Sequence, residues 1–162
     1  MSRLDSFIRR LEAQRACLDA AARMIAGLAG PVLEIGLGNG RTYDHLRELL
    51  PDRPIFAFDR LVAAHPDCVP EPDRLILGEL SDTLPGALAR IGVPAALVHM
   101  DIGSGDVAAN RHLAARLAPH VAGLMASGAV LAADQPVEHP TLHAVPLPDG
   151  VAPGRYHLYR RS

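Results

Sequence analysis

The sequence predicts an α/β protein: a doubly wound, mostly parallel sheet of about seven strands with an N-terminal helical segment. Three observations carry that expectation. Short apolar runs recur from Pro31 onward, stretches of helical spacing separate them, and no apolar stretch approaches the ~18 residues that cross a bilayer. At 162 residues the chain suits one compact domain, read here as a helical segment over 1–30 and a ligand-binding domain over 31–162.

From Ser2 to Leu28 there is no proline and the first glycine is Gly27, while Leu4, Leu11, Leu18 and Ile25 recur every seventh position beside Phe7 and Ile8. This is the pattern of a long amphipathic helix, or of two with a soft break. Its stripe either covers an edge of the chain's own sheet or packs on a second copy. The runs "PVLEIG", "PIFAFD", "RLILGE", "AALVHMD" and "GAVLAAD" then read as buried strands. Between them "RTYDHLRELL", "SDTLPGALARIG" and "GDVAANRHLAARLAPHVAGLM" read as helices, with Ser81 or Thr83 as N-cap and Pro85 near the first turn of the second. The link "RLVAAHPDCVPEPDR" holds Pro66, Pro70 and Pro72, leaving room for little more than one helical turn. The tail reads as two short strands around "PDGVAPG", an antiparallel pair closing the sheet.

Composition excludes several classes of chemistry. The net charge of −2 gives no general attraction to a polyanion, so nucleic acid is not the expected partner. All 16 basic residues are arginine, which removes P-loop, Schiff-base and kinase-type lysines. Cys17 and Cys68 have no CxxC spacing and read as free thiols in a reducing compartment. The opening "MSRLDSFIRRLEAQR" mixes charges of both signs with apolar residues, unlike a signal peptide or a targeting helix. A cytoplasmic location away from membranes is therefore expected.

The decisive stretch is "EIGLGNGRT", Glu34 to Thr42. Gly36, Gly38 and Gly40 let the backbone turn sharply and approach a ligand, and the helix that follows presents free N–H groups to it. A dinucleotide fingerprint would need glycine at position 41, where Arg41 stands. The remaining pattern, E-x-G-x-G-x-G, resembles the class I, Rossmann-like, S-adenosylmethionine-dependent methyltransferases over about residues 31–134. That resemblance implies S-adenosylmethionine as cofactor and no required metal; because "HMDIGSGD" departs from the family's N/D-P-P-Y/F motif for nucleic acid bases, a small-molecule methyl acceptor is expected. The resemblance also implies a set of binding residues: Glu34, Gly36, Leu37, Gly38, Asn39, Gly40, Arg41 and Thr42 at the first strand end, with Asp59 and Arg60 at the second for the ribose hydroxyls. Gly78, Glu79 and Leu80 follow at the third for adenine, and Asp101 and Ile102 at the fourth for the methionine end or the acceptor.

Methyl transfer from a sulfonium is an in-line displacement, so alignment and water exclusion matter more than any single residue. Asp101 is the first catalytic candidate for taking an acceptor proton, with Asp134 next, ahead of Asp106, His112 and the mid-strand His99. A minor alternative comes from the catechol-type O-methyltransferases, which Asp101, Asp134 and Gln135 resemble as oxygen ligands for Mg²⁺. Two other readings remain at this level: a catalytically silent adenosylmethionine-binding module, and a nucleotide- or dinucleotide-binding oxidoreductase. With no substrate-binding insertion, specificity must come from the N-terminal helix, short loops or another subunit. A homo-oligomer formed through the N-terminal helix is the expected assembly.

Overall fold

A computed structural model describes residues 2–162. Helix α1, Arg3–Met24, is one unbroken element closed at its start by a capping box in which Ser2 and Asp5 bond each other's backbone N–H. It leads into β1, Val32–Ile35, followed by α2, Arg41–Leu49, and β2, Ile55–Asp59. The proline-rich link holds only two single 3₁₀ turns, Pro66–Cys68 and Pro72–Arg74, before β3, Leu75–Leu77. Two short helices come next, α3, Leu80–Thr83, and α4, Ala87–Ile91, then β4, Ala95–Met100, α5, Val107–Leu124, and β5, Met125–Ala133. Strands β6, Leu142–Ala144, and β7, His157–Arg161, end the chain.

The seven strands form one sheet of order β3-β2-β1-β4-β5-β7-β6. The first five in that order run parallel, while β7 pairs antiparallel with both β5 and β6. The predicted closing pair is thus present, with β7 inserted beside β5 and β6 at the edge. One core layer packs β4, β5 and α5 around Leu33, Ile35, Val98, Met100, Leu117 and Leu131. The opposite layer sets Cys17, Leu18, Ala21 and Ile25 of α1 and its C-terminal end against Val32, Leu97 and Val130.

Two expectations are corrected. The segment predicted as a single helix with a Ser81 or Thr83 cap is broken: α3 starts after Glu79, and Pro85 and Gly86 separate it from α4. The seven-residue stripe is also divided. Leu18 and Ile25 are wholly enclosed in the chain's own core, whereas Leu4, Phe7 and Ile8 at the start of α1 are exposed. The stripe changes character along the helix: from Cys17 onward it packs on the sheet, and its first two turns lie largely exposed.

Candidate functional site

Strand order reverses between β1 and β4, so the loops after these strands diverge and open a crevice at their carboxyl ends. The glycine loop lies there. Gly36 has φ +91° and a Cβ on it would overlap the Asp101 carbonyl oxygen, so this glycine permits the close approach of the two strand ends. Gly38 is exposed, and its N–H donates to Asp59 Oδ2 at 2.8 Å. The Arg60 N–H donates to the other oxygen at 2.7 Å. Each Asp59 oxygen keeps acceptor capacity for a further donor. Helix α2 starts after Gly40, which supplies no capping side chain, although Asn39 Oδ1 accepts from the Arg41 N–H at 3.1 Å.

Two adjoining cavities fill the crevice. The wider, about 350 Å³, is bounded by Asp59, Arg60, Glu79, Leu80, Ile102 and Asn110. Glu79 is exposed and its carboxylate has no hydrogen-bond partner among the described residues. Asn110 is buried and holds the 102–106 loop in shape, accepting from the Ser104 N–H at 3.0 Å and donating to the Ser104 carbonyl at 3.0 Å. The narrower cavity, about 250 Å³, lies between α1 and the glycine loop, with Phe7, Arg10, Leu11 and Gln14 facing Leu37, Asn39, Arg41 and Thr42. Gly36, Gly38, Asp101 and Gly103 border both. A larger cleft of about 610 Å³ between α1 and residues 149–155 has a charged, open lining and none of these strand-end groups. Chemistry rather than volume marks the site.

Beneath the narrower cavity runs a polar chain. Thr42 Oγ1 donates to Glu34 Oε1, Glu34 Oε2 lies 2.7 Å from His99 Nδ1, and His99 Nε2 meets the Tyr156 hydroxyl. Gln14 Nε2 donates to Tyr156 at 3.4 Å and to Asp101 Oδ2 at 2.8 Å, and Arg10 Nη2 donates to Asp101 Oδ1 at 3.1 Å. Burial works against a proton on His99, but the Glu34 charge and hydrogen bond outweigh it and hold the pKa above the ordinary histidine value. Burial pushes the Tyr156 hydroxyl well up, so it stays neutral. Beside this chain, burial raises the pKa of Asp134, and the Asp101 charge adds to that rise. Asp134 Oδ1 accepts from the Ile102 N–H at 3.1 Å and Oδ2 from Gln135 Nε2 at 2.9 Å.

A family model of S-adenosyl-L-methionine methyltransferases matches residues 1–161. The chain belongs to that family. A crystal structure of an S-adenosyl-L-methionine methyltransferase from Silicibacter pomeroyi is 44% identical, with a TM-score of 0.95, and the match covers 100% of this chain and 99% of that one. Two more distant structures share the fold. Cofactor-bound Rv0187 from MTB is 18% identical, with a TM-score of 0.59 over 97% of this chain and 89% of that one. The 16S rRNA (adenine(1408)-N(1))-methyltransferase of Catenulisporales acidiphilia, with its cosubstrate SAM, is 15% identical, with a TM-score of 0.52 over 89% and 90%. No curated protein matches the sequence.

For a methyltransferase of this family the residues named from sequence divide into two groups. Gly36, Leu37, Gly38, Asn39, Arg41, Thr42, Asp59, Arg60, Glu79, Leu80, Asp101 and Ile102 border one or both cavities. Glu34, Gly40, Gly78 and Asp134 border neither. Glu34 is wholly enclosed and its oxygens face Thr42 and His99, while Gly40 packs against Cys68 of the proline-rich link. Gly78 faces Thr83. His99 has no solvent exposure, His112 lies exposed on α5, and Asp106 caps that helix through the Ala109 N–H. In the minor metal alternative Asp134 and Gln135 would both face an ion, yet here they bond each other. Among the described residues no three His, Cys, Asp or Glu side chains converge on a point. Sequence reasoning missed Arg10, Gln14, Asn110 and Tyr156. Only Gln14 carried a signal, as a polar residue on the buried side of an amphipathic helix.

Proposed function

We propose that this methyltransferase transfers the methyl group of S-adenosylmethionine to a small-molecule acceptor. The observation that carries the reading is the paired cavity, which suits a ligand with a nucleoside at one end and an amino acid at the other. In the wider part the spare acceptor capacity of Asp59 suits a vicinal diol, and Glu79 beside Leu80 suits an exocyclic amine over an apolar surface. In the narrower part the first turn of α2 suits a carboxylate and Asp101 an ammonium. When bound, the cofactor supplies an activated methyl group. The protein's part is to orient the acceptor and keep water out, and α1 performs the second task by placing Phe7 and Leu11 against the cavity.

Asp134, at the β5 end, is the proposed proton acceptor: burial and the neighbouring Asp101 charge raise its affinity for a proton, and its carboxylate lies beside Gly103, which borders both cavities. Asp101, held by Arg10 and Gln14, serves as the fixed anion. A small acceptor fits the net charge of −2 and the absence of any basic surface run, both unsuited to a nucleic acid. No helix among the described residues is long and apolar enough to cross a membrane. We further propose a cytoplasmic homo-oligomer formed through the exposed Leu4, Phe7 and Ile8, not through the full heptad stripe. Leu4→Asp with Ile8→Asp should then lower the mass seen by light scattering without unfolding the chain; an unchanged mass contradicts the oligomer.

Calorimetry with S-adenosylmethionine and NAD tests the cofactor, and release of adenosylhomocysteine across pools of small acceptors tests the transfer. Binding of the first ligand and acceptor-dependent release, unaffected by EDTA, is the expected outcome. Binding of NAD alone contradicts the reading.

A further inference from the structure

Four polar groups are enclosed beneath the narrower cavity: Gln14 at 6% exposure, and Glu34, His99 and Tyr156 at 0%. They come from α1, β1, β4 and the approach to β7, so the chain brings distant segments together to build one hydrogen-bonded line. Both ends of that line return to the same cavity, through Thr42 on one wall and Asp101 on the other. Well-packed apolar side chains of similar volume would hold these elements together at least as well. The line therefore calls for a role beyond packing.

Gln14 is its critical link. A neutral amide with two N–H donors can serve the Tyr156 oxygen and the Asp101 carboxylate together, adding no charge between them. Arg10, the other partner of Asp101, has a side chain 44% exposed and can move aside when a cationic ligand group takes its place. Gln14 is enclosed and cannot. We propose that Gln14 and Tyr156 are positioning residues for the amino-acid half of the cofactor, holding the Asp101 carboxylate in register with the first turn of α2 through His99, Glu34 and Thr42. The inference rests on the reading that the cofactor spans both cavities.

Two ligands separate this role from a merely structural one. Adenosylhomocysteine reaches both cavities, while 5′-methylthioadenosine lacks the amino-acid end and occupies only the wider one. Dissociation constants for both are measured by calorimetry on the wild type, Gln14→Leu and Tyr156→Phe. Gln14→Leu should weaken adenosylhomocysteine by about tenfold or more and methylthioadenosine by less than about twofold, since a charge-assisted hydrogen bond is lost at one end only. Tyr156→Phe keeps the ring packing and should give a smaller loss with the same selectivity. Equal losses for both ligands, or none for either, overturn the positioning role. A wild type that binds neither ligand overturns the cofactor reading beneath it.

Discussion

The two cavities are built in different ways. The wider takes its polar groups mostly from residues that end strands or begin the loops after them, such as Asp59, Glu79 and Ile102, with Asn110 and Leu113 of α5 closing one side. The narrower has one wall of that kind, and its other wall is the N-terminal helix α1, whose partners at Asp101 and Tyr156 lie far along the chain. The Gln14 bond to Asp101 joins positions 87 residues apart, and its bond to Tyr156 joins positions 142 apart. Recognition by strand-end acids needs only the sheet to form. Recognition against α1 needs the helix to dock at the correct angle, and the His45–Asp19 contact at 2.7 Å and the Arg53 bonds to the Ile25, Leu28 and Gly30 carbonyls help to set that docking.

The largest expected effect breaks both cavities together. Gly36→Ala puts a side chain at φ +91° against the Asp101 carbonyl, and the strand ends must separate, destabilising the fold by about 3 kcal/mol in urea titration. Gly38→Ala, at φ +52° with nothing within 4 Å, should lose only about 1 kcal/mol. Equal losses at the two positions would show that the close approach of β1 and β4 is not what the loop requires. Next in size is Asp59→Ala, which removes acceptors from the wider cavity and the tie to the Gly38 N–H. It should weaken S-adenosylmethionine and methylthioadenosine alike by about 1–3 kcal/mol in calorimetry, the contrast to Gln14→Leu.

The smallest effect is a pH slope that belongs to the narrower side. His99 has a folded pKa above its ordinary 6.5, so the native state keeps a proton that the unfolded chain releases. Its contribution to stability is complete below about pH 6.5 and is lost as pH rises through the folded value. Melting temperature should therefore decline across that window in the wild type and decline less in Glu34→Gln, which removes the neighbouring charge. Parallel slopes would show that the buried pair does not control the proton.

The same division decides how much could be read from the sequence. All five parallel strands were legible because buried strands leave short apolar runs, and the glycine loop because its spacing has few alternatives. The strand-end acids followed from the family resemblance, each at the end of one of those runs. Glu34 was legible as part of the motif but not in its placement: a carboxylate at the end of β1 turns inward, and the partner that stabilises it there, His99, lies 65 positions away. The heptad stripe misled for a related reason. Periodicity reports one face of a helix, and it cannot tell where along that face the sheet stops, so Leu4 and Leu18 looked equivalent although one is exposed and the other enclosed. Tyr156 left no signal at all, since an aromatic residue before a short C-terminal strand is ordinary until that strand is seen between β5 and β6.

The most direct measurement is a crystal structure with adenosylhomocysteine bound. The account predicts the ribose hydroxyls on Asp59, the adenine between Glu79 and Leu80, and the amino-acid end against Asp101, with the Gln14 bond to Asp101 intact. An amino-acid end that avoids the space between α1 and the glycine loop, or a Gln14 turned away from Asp101, would contradict it.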